Sequence, residues 1–384
     1  MRAAPALAVA RAEIELADEE AGAADPFLPS NPTLQASVGP RLGDNGSTDI
    51  DYQLSVQQPI EIAGQRPLRF DVARAARRTR EANLGRVRWE VHQRVHAGYR
   101  SALVARRRAE LAREIEHFQA DLVDVTRQRV EAGEDSPLIL RIAEAEAAQA
   151  AQRTIAAIQA YREACLSLAE TTGWDPARPP VPVGSMEAPR DAPPLRRLLE
   201  LARTHNPLLE VRRLAIDEAR SRVSLTEREA WPNPSVGVQF SREGAPGGGS
   251  AEHILLGILS VPIPSFGLNQ AERAGAQARL EVALSEQDAL RSVLVARLER
   301  LRTAVDAATA RMQAYGQDIL PRFVENLLLI RRAFQLGEID LLQVSVAVDR
   351  FLSIQLEALD ANVDYAAAVA ALEAEVGTEL EEAR

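Results

Sequence analysis

Asn31-Pro32-Thr33-Leu34 returns as Asn233-Pro234-Ser235-Val236, and this echo governs the reading of the whole chain. Three further landmarks keep step with it. Pro59-Ile60 before Gly64 returns as Pro262-Ile263 before Gly267; Gly133-Glu134 returns as Gly337-Glu338; Gly173 returns as Gly377. The offset stays between 202 and 204 residues throughout. Order and spacing preserved together mark a tandem duplication of about 200 residues.

Each copy repeats one grammar. An amphipathic helix comes first, over 7–24 and over 206–230, the second preceded by a short helix at 195–204. Asn-Pro ends it, because proline cannot continue a helix and biases its predecessor toward extended geometry. A strand hairpin follows, within 33–62 in copy one and 235–263 in copy two. The expected strands are 33–38 and 51–60, joined by a turn-rich loop at 39–49, then 235–241 and 253–263, joined by 243–250. The second loop, Gly244-Ala245-Pro246-Gly247-Gly248-Gly249-Ser250, also has a phosphate-loop reading. It lacks the following Lys-Ser/Thr and a clear helix start, so a plain hairpin loop is the expectation. Tyr52, Leu54 and Val56 alternate with Gln53, Ser55 and Gln57; Val236, Val238 and Phe240 alternate with Gly237, Gln239 and Ser241. One apolar and one polar face suits a half-buried strand in water. It equally suits a barrel strand between lipid and water. Four strands are too few to close a barrel within one chain.

A helical hairpin completes each copy. Residues 65–131 hold no proline after Pro67, and at ~1.5 Å per residue they rise roughly 100 Å. Residues 269–336 match them, with a kink expected at Pro321. Turns at Gly133–Pro137 and Gly337–Asp340 lead into returning helices at 138–172 and 341–376, with Ser136 and Asp340 as expected N-caps. Leu341, Val344, Val348, Leu352, Leu356, Leu359 and Val363 step by three or four residues, one packed face along the last helix. The expected organisation is therefore repeat one at 1–172, a linker at 173–194 with seven prolines, and repeat two at 195–384. The fold class is mainly α with a small β part.

Composition narrows the function. Only 4% of the 384 residues are aromatic, against 46% hydrophobic, which fits long helices better than a thick enzyme core. All 45 basic residues are arginine, and the net charge of -10 argues against nucleic acid as partner. Arg106, Arg107 and Arg108 read as a solvated helix face. Cys165 is alone, which excludes an internal disulfide and every cysteine-cluster metal site. His92 and His96 share a helix face at i, i+4, but no Glu or Cys completes a zinc motif in register, so a polar stripe is the expectation and no metal site is assigned. No catalytic residues and no cofactor site are assigned either. No apolar run reaches the ~18–20 residues of a helical membrane span. The stretch Ala6–Ala10 is cut off by Arg11, Glu13 and Glu15, too soon for an export signal. Ala4-Pro5 stands where copy two has Asn206-Pro207, so the start reads as truncated.

Helix, Asn-Pro, strand hairpin and long helical hairpin, twice over, resemble the TolC-type family of outer membrane efflux proteins across nearly the whole chain. Gln58-Pro59-Ile60-Glu61-Ile62-Ala63-Gly64-Gln65-Arg66 resembles the strand-to-helix junction of CzcC-like members. Val261-Pro262-Ile263-Pro264-Ser265-Phe266-Gly267 is similar to its second version. Ile319-Leu320-Pro321 with Phe334-Gln335-Leu336-Gly337-Glu338-Ile339-Asp340 resembles the second hairpin tip.

The resemblance implies a homotrimer whose chains each give four strands to a 12-stranded outer membrane barrel, with the helices continuing as a periplasmic tunnel. It implies a passive exit duct for heavy-metal ions or small molecules, working with a periplasmic adaptor and an inner membrane pump of the RND type. The tips, Gly133, Glu134, Ser136, Gly337, Glu338 and Asp340, would dock on the adaptor. Asp135 and Asp340, with Glu134 and Glu338, would favour cations at an entrance; the plainer role of these carboxylates is helix capping. The competing reading is a soluble coiled-coil scaffold, which leaves the two alternating hairpins unexplained.

Overall fold

The computed structural model describes residues 4–24, 28, 30–42, 46–184, 188–245, 249–263, 269–315 and 322–380. In chain order the elements are α1 (Pro5–Ala23), β1 (Thr33–Leu42), β2 (Thr48–Pro59), α2 (Gln65–Glu131), α3 (Pro137–Thr172), α4 (Leu195–His205), α5 (Pro207–Glu229), β3 (Ser235–Glu243), β4 (Glu252–Ser260), α6 (Gln270–Tyr315), α7 (Phe323–Gln335) and α8 (Leu341–Val376). Pro321 and its expected kink lie outside the described residues, as do 264–268 of the second junction and 246–248 of the Gly-rich loop.

The chain forms two compact units, and both draw on both sequence copies. One gathers 11–83 with 208–290, and the other gathers 1–10, 84–207 and 291–384.

The first unit carries the sheet. Its four strands are antiparallel and lie in chain order β1-β2-β3-β4. Thus β2 of copy one pairs with β3 of copy two, from Tyr52 opposite Arg242 to Pro59 opposite Ser235. β1 runs on to Leu42, where a turn after Val38 was expected. The extension includes Pro40, opposite Ile50. Pro40 stands two residues from the hairpin end of β1, where its missing N–H removes at most one ladder bond. β2 accordingly starts at Thr48, three residues earlier than expected. β3 continues to Glu243, and β4 ends at Ser260.

The junction after β2 is stitched to copy two. Ile60 donates its N–H to the Pro234 carbonyl at 2.8 Å. Gln65 accepts from the Ala63 N–H at 3.0 Å and donates to Asn233 Oδ1, also at 3.0 Å. The resembling segment of copy one therefore closes on the Asn-Pro signal of copy two. Gly64 makes the intervening turn at φ +74°.

The second unit is helical. Leu111, Ile115, Phe118 and Leu122 of α2 pack with Ala143 and Ala150 of α3, Phe334 of α7, and Leu341, Val344 and Val348 of α8. The expected α8 stripe faces this core from Leu341 to Leu356, Leu352 and Leu356 being partly buried beside it. Cys165 is buried and free. The Pro-rich segment is laid against the helices rather than tethered loosely. Arg106 Nη1 donates to the Pro182 carbonyl at 3.2 Å, and the Arg190 N–H donates to Tyr365 Oη at 3.0 Å. Among the described residues, no helix is long and apolar enough to cross a membrane.

Candidate functional site

The sheet leaves a contiguous apolar face uncovered. Strand alternation and register place Leu34, Val56 and Val238 in one row, and Ala36, Leu54, Phe240 and Leu255 in the next. These apolar side chains are exposed; Val38 is 76% and Leu255 70% accessible. The opposite, more polar face holds Ser55, only 2% exposed, and Ser241 beside the exposed Gln35, Ser37 and Gln53, with Ile254, Leu256 and Ile258 at its β4 edge. A soluble sheet buries the apolar side and wets the other. A contiguous apolar face of this kind marks contact with lipid or another apolar partner. Strands of nine to twelve residues match the ~9–11 needed for a tilted membrane strand.

Charge closes the loop end of the polar face. Arg41 Nε donates to Asp51 at 2.9 Å and Nη2 to Glu243 at 2.7 Å. The Gly244 and Ala245 N–H groups donate to Asp51 and Asp49 at 2.7 and 2.9 Å. Amides that a phosphate loop would offer to an anion are taken up by carboxylates here, in keeping with a hairpin loop.

The two helical tips share one construction. Gly133 ends α2 at φ +78° and Gly337 follows α7 at φ +73°. At the first tip the Gly133 N–H reaches the Val130 carbonyl at 3.0 Å and the Glu134 N–H reaches Arg129 at 2.8 Å. At the second, Gly337 reaches Phe334 at 3.0 Å and Glu338 reaches Ala333 at 2.9 Å. Both are Schellman closures, in which a left-handed glycine lets the last carbonyls find donors.

The starts of the returning helices differ. Asp340 accepts from the Gln343 N–H at 2.8 Å while the Gln343 side chain accepts from the Asp340 N–H, a complete capping box. Ser136 occupies the N-cap position, but its hydroxyl makes no capping bond; Pro137 at the first helical position pre-sets the turn instead.

Arg129, which the sequence reading passed over, brings the tips together. Its Nε donates to Asp135 at 2.7 Å, its Nη1 donates to the Phe334 carbonyl at 3.1 Å, and its guanidinium lies 5.3 Å from the Phe334 ring centroid. The Asp135 hydrogen bond holds Arg129 above its ordinary pKa. Of the proposed entrance charges, Asp135 is paired and Asp340 is capping, whereas Glu134, 4.0 Å from Arg129 Nε, is 63% exposed. A basic residue in the last turn of a helix was the one available signal for Arg129.

Arg106 and Arg107 pair with Glu110 on their own helix, and Arg108 pairs with Asp360 of α8. The His92 and His96 rings lie with centroids 4.3 Å apart, tilted by 37°. The fold brings Glu379 to them from 287 positions away, with its Oε1 2.7 Å from His92 Nε2.

A model of the outer membrane efflux protein family matches residues 2–174 and 198–378. The cobalt-zinc-cadmium resistance protein CzcC of Cupriavidus metallidurans is 25% identical over 336 residues, 86% of this chain and 77% of that protein. The CmeC outer membrane channel of Campylobacter jejuni superposes with a TM-score of 0.70 at 15% identity, over 97% of this chain and 82% of that one. A membrane protein from Pseudomonas aeruginosa gives 0.74 at 19% identity, over 98% and 87%.

Proposed function

The chain belongs to the outer membrane efflux protein family and is an outer membrane exit duct of an efflux system, and from that premise we propose that it works as a homotrimer exporting heavy-metal ions. The observation that carries the assembly is the open four-stranded sheet. Among the described residues β1 and β4 each have one strand neighbour, so each keeps an unpaired edge. In lipid such an edge leaves backbone groups unsatisfied at several kcal/mol apiece, and only closure removes it. Three chains meeting edge to edge would give a barrel of about twelve strands, within the even-numbered range of such barrels.

Transport through this duct needs no chemistry from it; an inner membrane pump of the RND type would supply the energy. The helical region would extend into the periplasm. Its tips, at Gly133–Pro137 and Gly337–Leu341, would meet a periplasmic adaptor, with Glu134, Asp135, Glu338 and Asp340 favouring cations. Metal cargo is supported by the relative named for cobalt, zinc and cadmium resistance. A soluble scaffold would not leave an apolar sheet face exposed, so that alternative is set aside.

The test uses a metal-sensitive strain that lacks its own outer membrane duct but retains pump and adaptor. Restored resistance, with the protein extracted from the outer membrane as a trimer, is the expected result. A water-soluble monomer with an ordered sheet would refute the assembly. Gly337→Trp should abolish resistance while the trimer persists; resistance retained by that variant would remove the docking role of the tip.

A further inference from the structure

His92 and His96 lie one turn apart on α2, and Glu379 stands beyond the end of α8. One ligand atom from each lies within 4.8 Å of the other two, and all three side chains are partly buried. From this juxtaposition we infer that the chain holds a divalent transition-metal ion, of the zinc or cobalt class, at His92, His96 and Glu379.

The donor set is two imidazoles and one carboxylate. That combination suits zinc, cobalt, nickel or copper, whereas magnesium and calcium prefer oxygen alone. Two histidines at i, i+4 with a distant glutamate is a known zinc-binding arrangement, leaving a fourth position for water. In hydrolytic sites of that kind a glutamate general base follows the first histidine. Here the position is Gln93, which cannot take a proton from water. The arrangement thus lacks that base at its usual place, and what is inferred is binding.

Ligand atoms around a tetrahedral zinc ion stand roughly 3.3 Å apart, given bonds of about 2.0 Å. The ligand atoms now lie within 4.8 Å of one another, and binding would draw them closer. His92 Nε2 and Glu379 Oε1, now 2.7 Å apart, would part slightly to admit the ion.

The surroundings hold the ligands in place. Trp89 stacks on His92 at 5.1 Å, and its Nε1 donates to the Ala374 carbonyl of α8 at 3.4 Å. Such outer contacts fix the ring that ligates. Glu379 sits on a built turn. The Gly377 N–H donates to the Glu373 carbonyl at 2.8 Å, and the Leu380 N–H donates to the Glu373 carboxylate at 3.0 Å. Asn206 Nδ2 donates to the Glu375 carbonyl at 2.7 Å, clamping the last turn of α8. A cavity of about 100 Å³ adjoins the site, lined by His96, Arg100, Glu373 and Glu379 among others, and gives an entry path.

The ion would tie the end of α8 to α2. This inference stands apart from the conduit reading, since the three ligands belong to one chain and need neither partner nor cargo.

The whole protein, purified in detergent and stripped with chelator, is titrated with cobalt(II) and then with zinc. One cobalt per chain is expected, with the visible absorption of a four-coordinate nitrogen–oxygen site that zinc displaces. His92→Ala and His96→Ala should each weaken binding by about 100-fold or more, and Glu379→Gln by at least about 10-fold. His117→Ala, elsewhere on α2, should bind as the parent does. Thermal unfolding is followed with and without zinc. Zinc should raise the midpoint of the parent and leave His96→Ala unmoved. No cobalt absorption in folded parent protein, or equal binding by parent and variants, overturns the proposal. So does a loss of stability in the variants that is the same with and without metal, because the cluster would then be a hydrogen bond only.

Discussion

Gln65 is 2% exposed and spends its amide on the Ala63 N–H and on Asn233. Gln65→Leu keeps the bulk and strands both partners. A loss of about 1–3 kcal/mol is expected from the denaturant midpoint. The glycines divide in a similar way. A Cβ at Gly377 would lie 2.2 Å from the His205 carbonyl oxygen, on a residue already at φ +90°. A Cβ at Gly133 would meet nothing within 4 Å. Gly377→Ala should therefore cost roughly 2 kcal/mol or more, and Gly133→Ala only about 1 kcal/mol for its left-handed backbone. Thermal unfolding of the two variants side by side checks this order. Arg129→Ala removes an ion pair, a carbonyl bond and a ring contact at once. A drop of about 1–2 kcal/mol is expected, with Phe334 freed of its cation. The glycine turns were legible from their spacing. Arg129 was not, because nothing in a linear chain says that one tip will lie beside the other. Glu379 was hidden from the histidines for the same reason.

Element by element, the sequence rules held where periodicity was long. α2 and α8 begin and end where proline-free runs and glycine stops placed them. The strand ends were less legible. Gly39-Pro40 reads as a turn by composition, yet pairs with Asp51 and Ile50 close to the hairpin end of β1. The faces of the sheet carry a sharper test. Val238 lies mid-strand on the exposed apolar face, and Gln239 faces the opposite way. In a membrane barrel Val238→Arg should destabilise by about 2–4 kcal/mol, and Gln239→Arg by much less. Folding titrations in lipid vesicles measure both. Equal tolerance of the two would argue that lipid does not cover that face. Periodicity alone left water and lipid undecided; the exposure of the apolar rows in the folded chain favours lipid.

For the whole molecule, the duplication seen in sequence is not the division seen in space. Each compact unit takes part of both copies, since β2 pairs with β3 across the repeat boundary and α3 packs with α8. Repeats predict kinds of element but not which copies will share a core. The open sheet also bears on genetics. If β1 of one chain needs β4 of a sister, a chain with a spoiled edge disables every ring it enters. Equal expression of sound and spoiled copies would leave roughly one-eighth of threefold rings wholly sound. A proline placed mid-way along β4 should accordingly behave as a dominant lesion, whereas an early stop codon should be recessive.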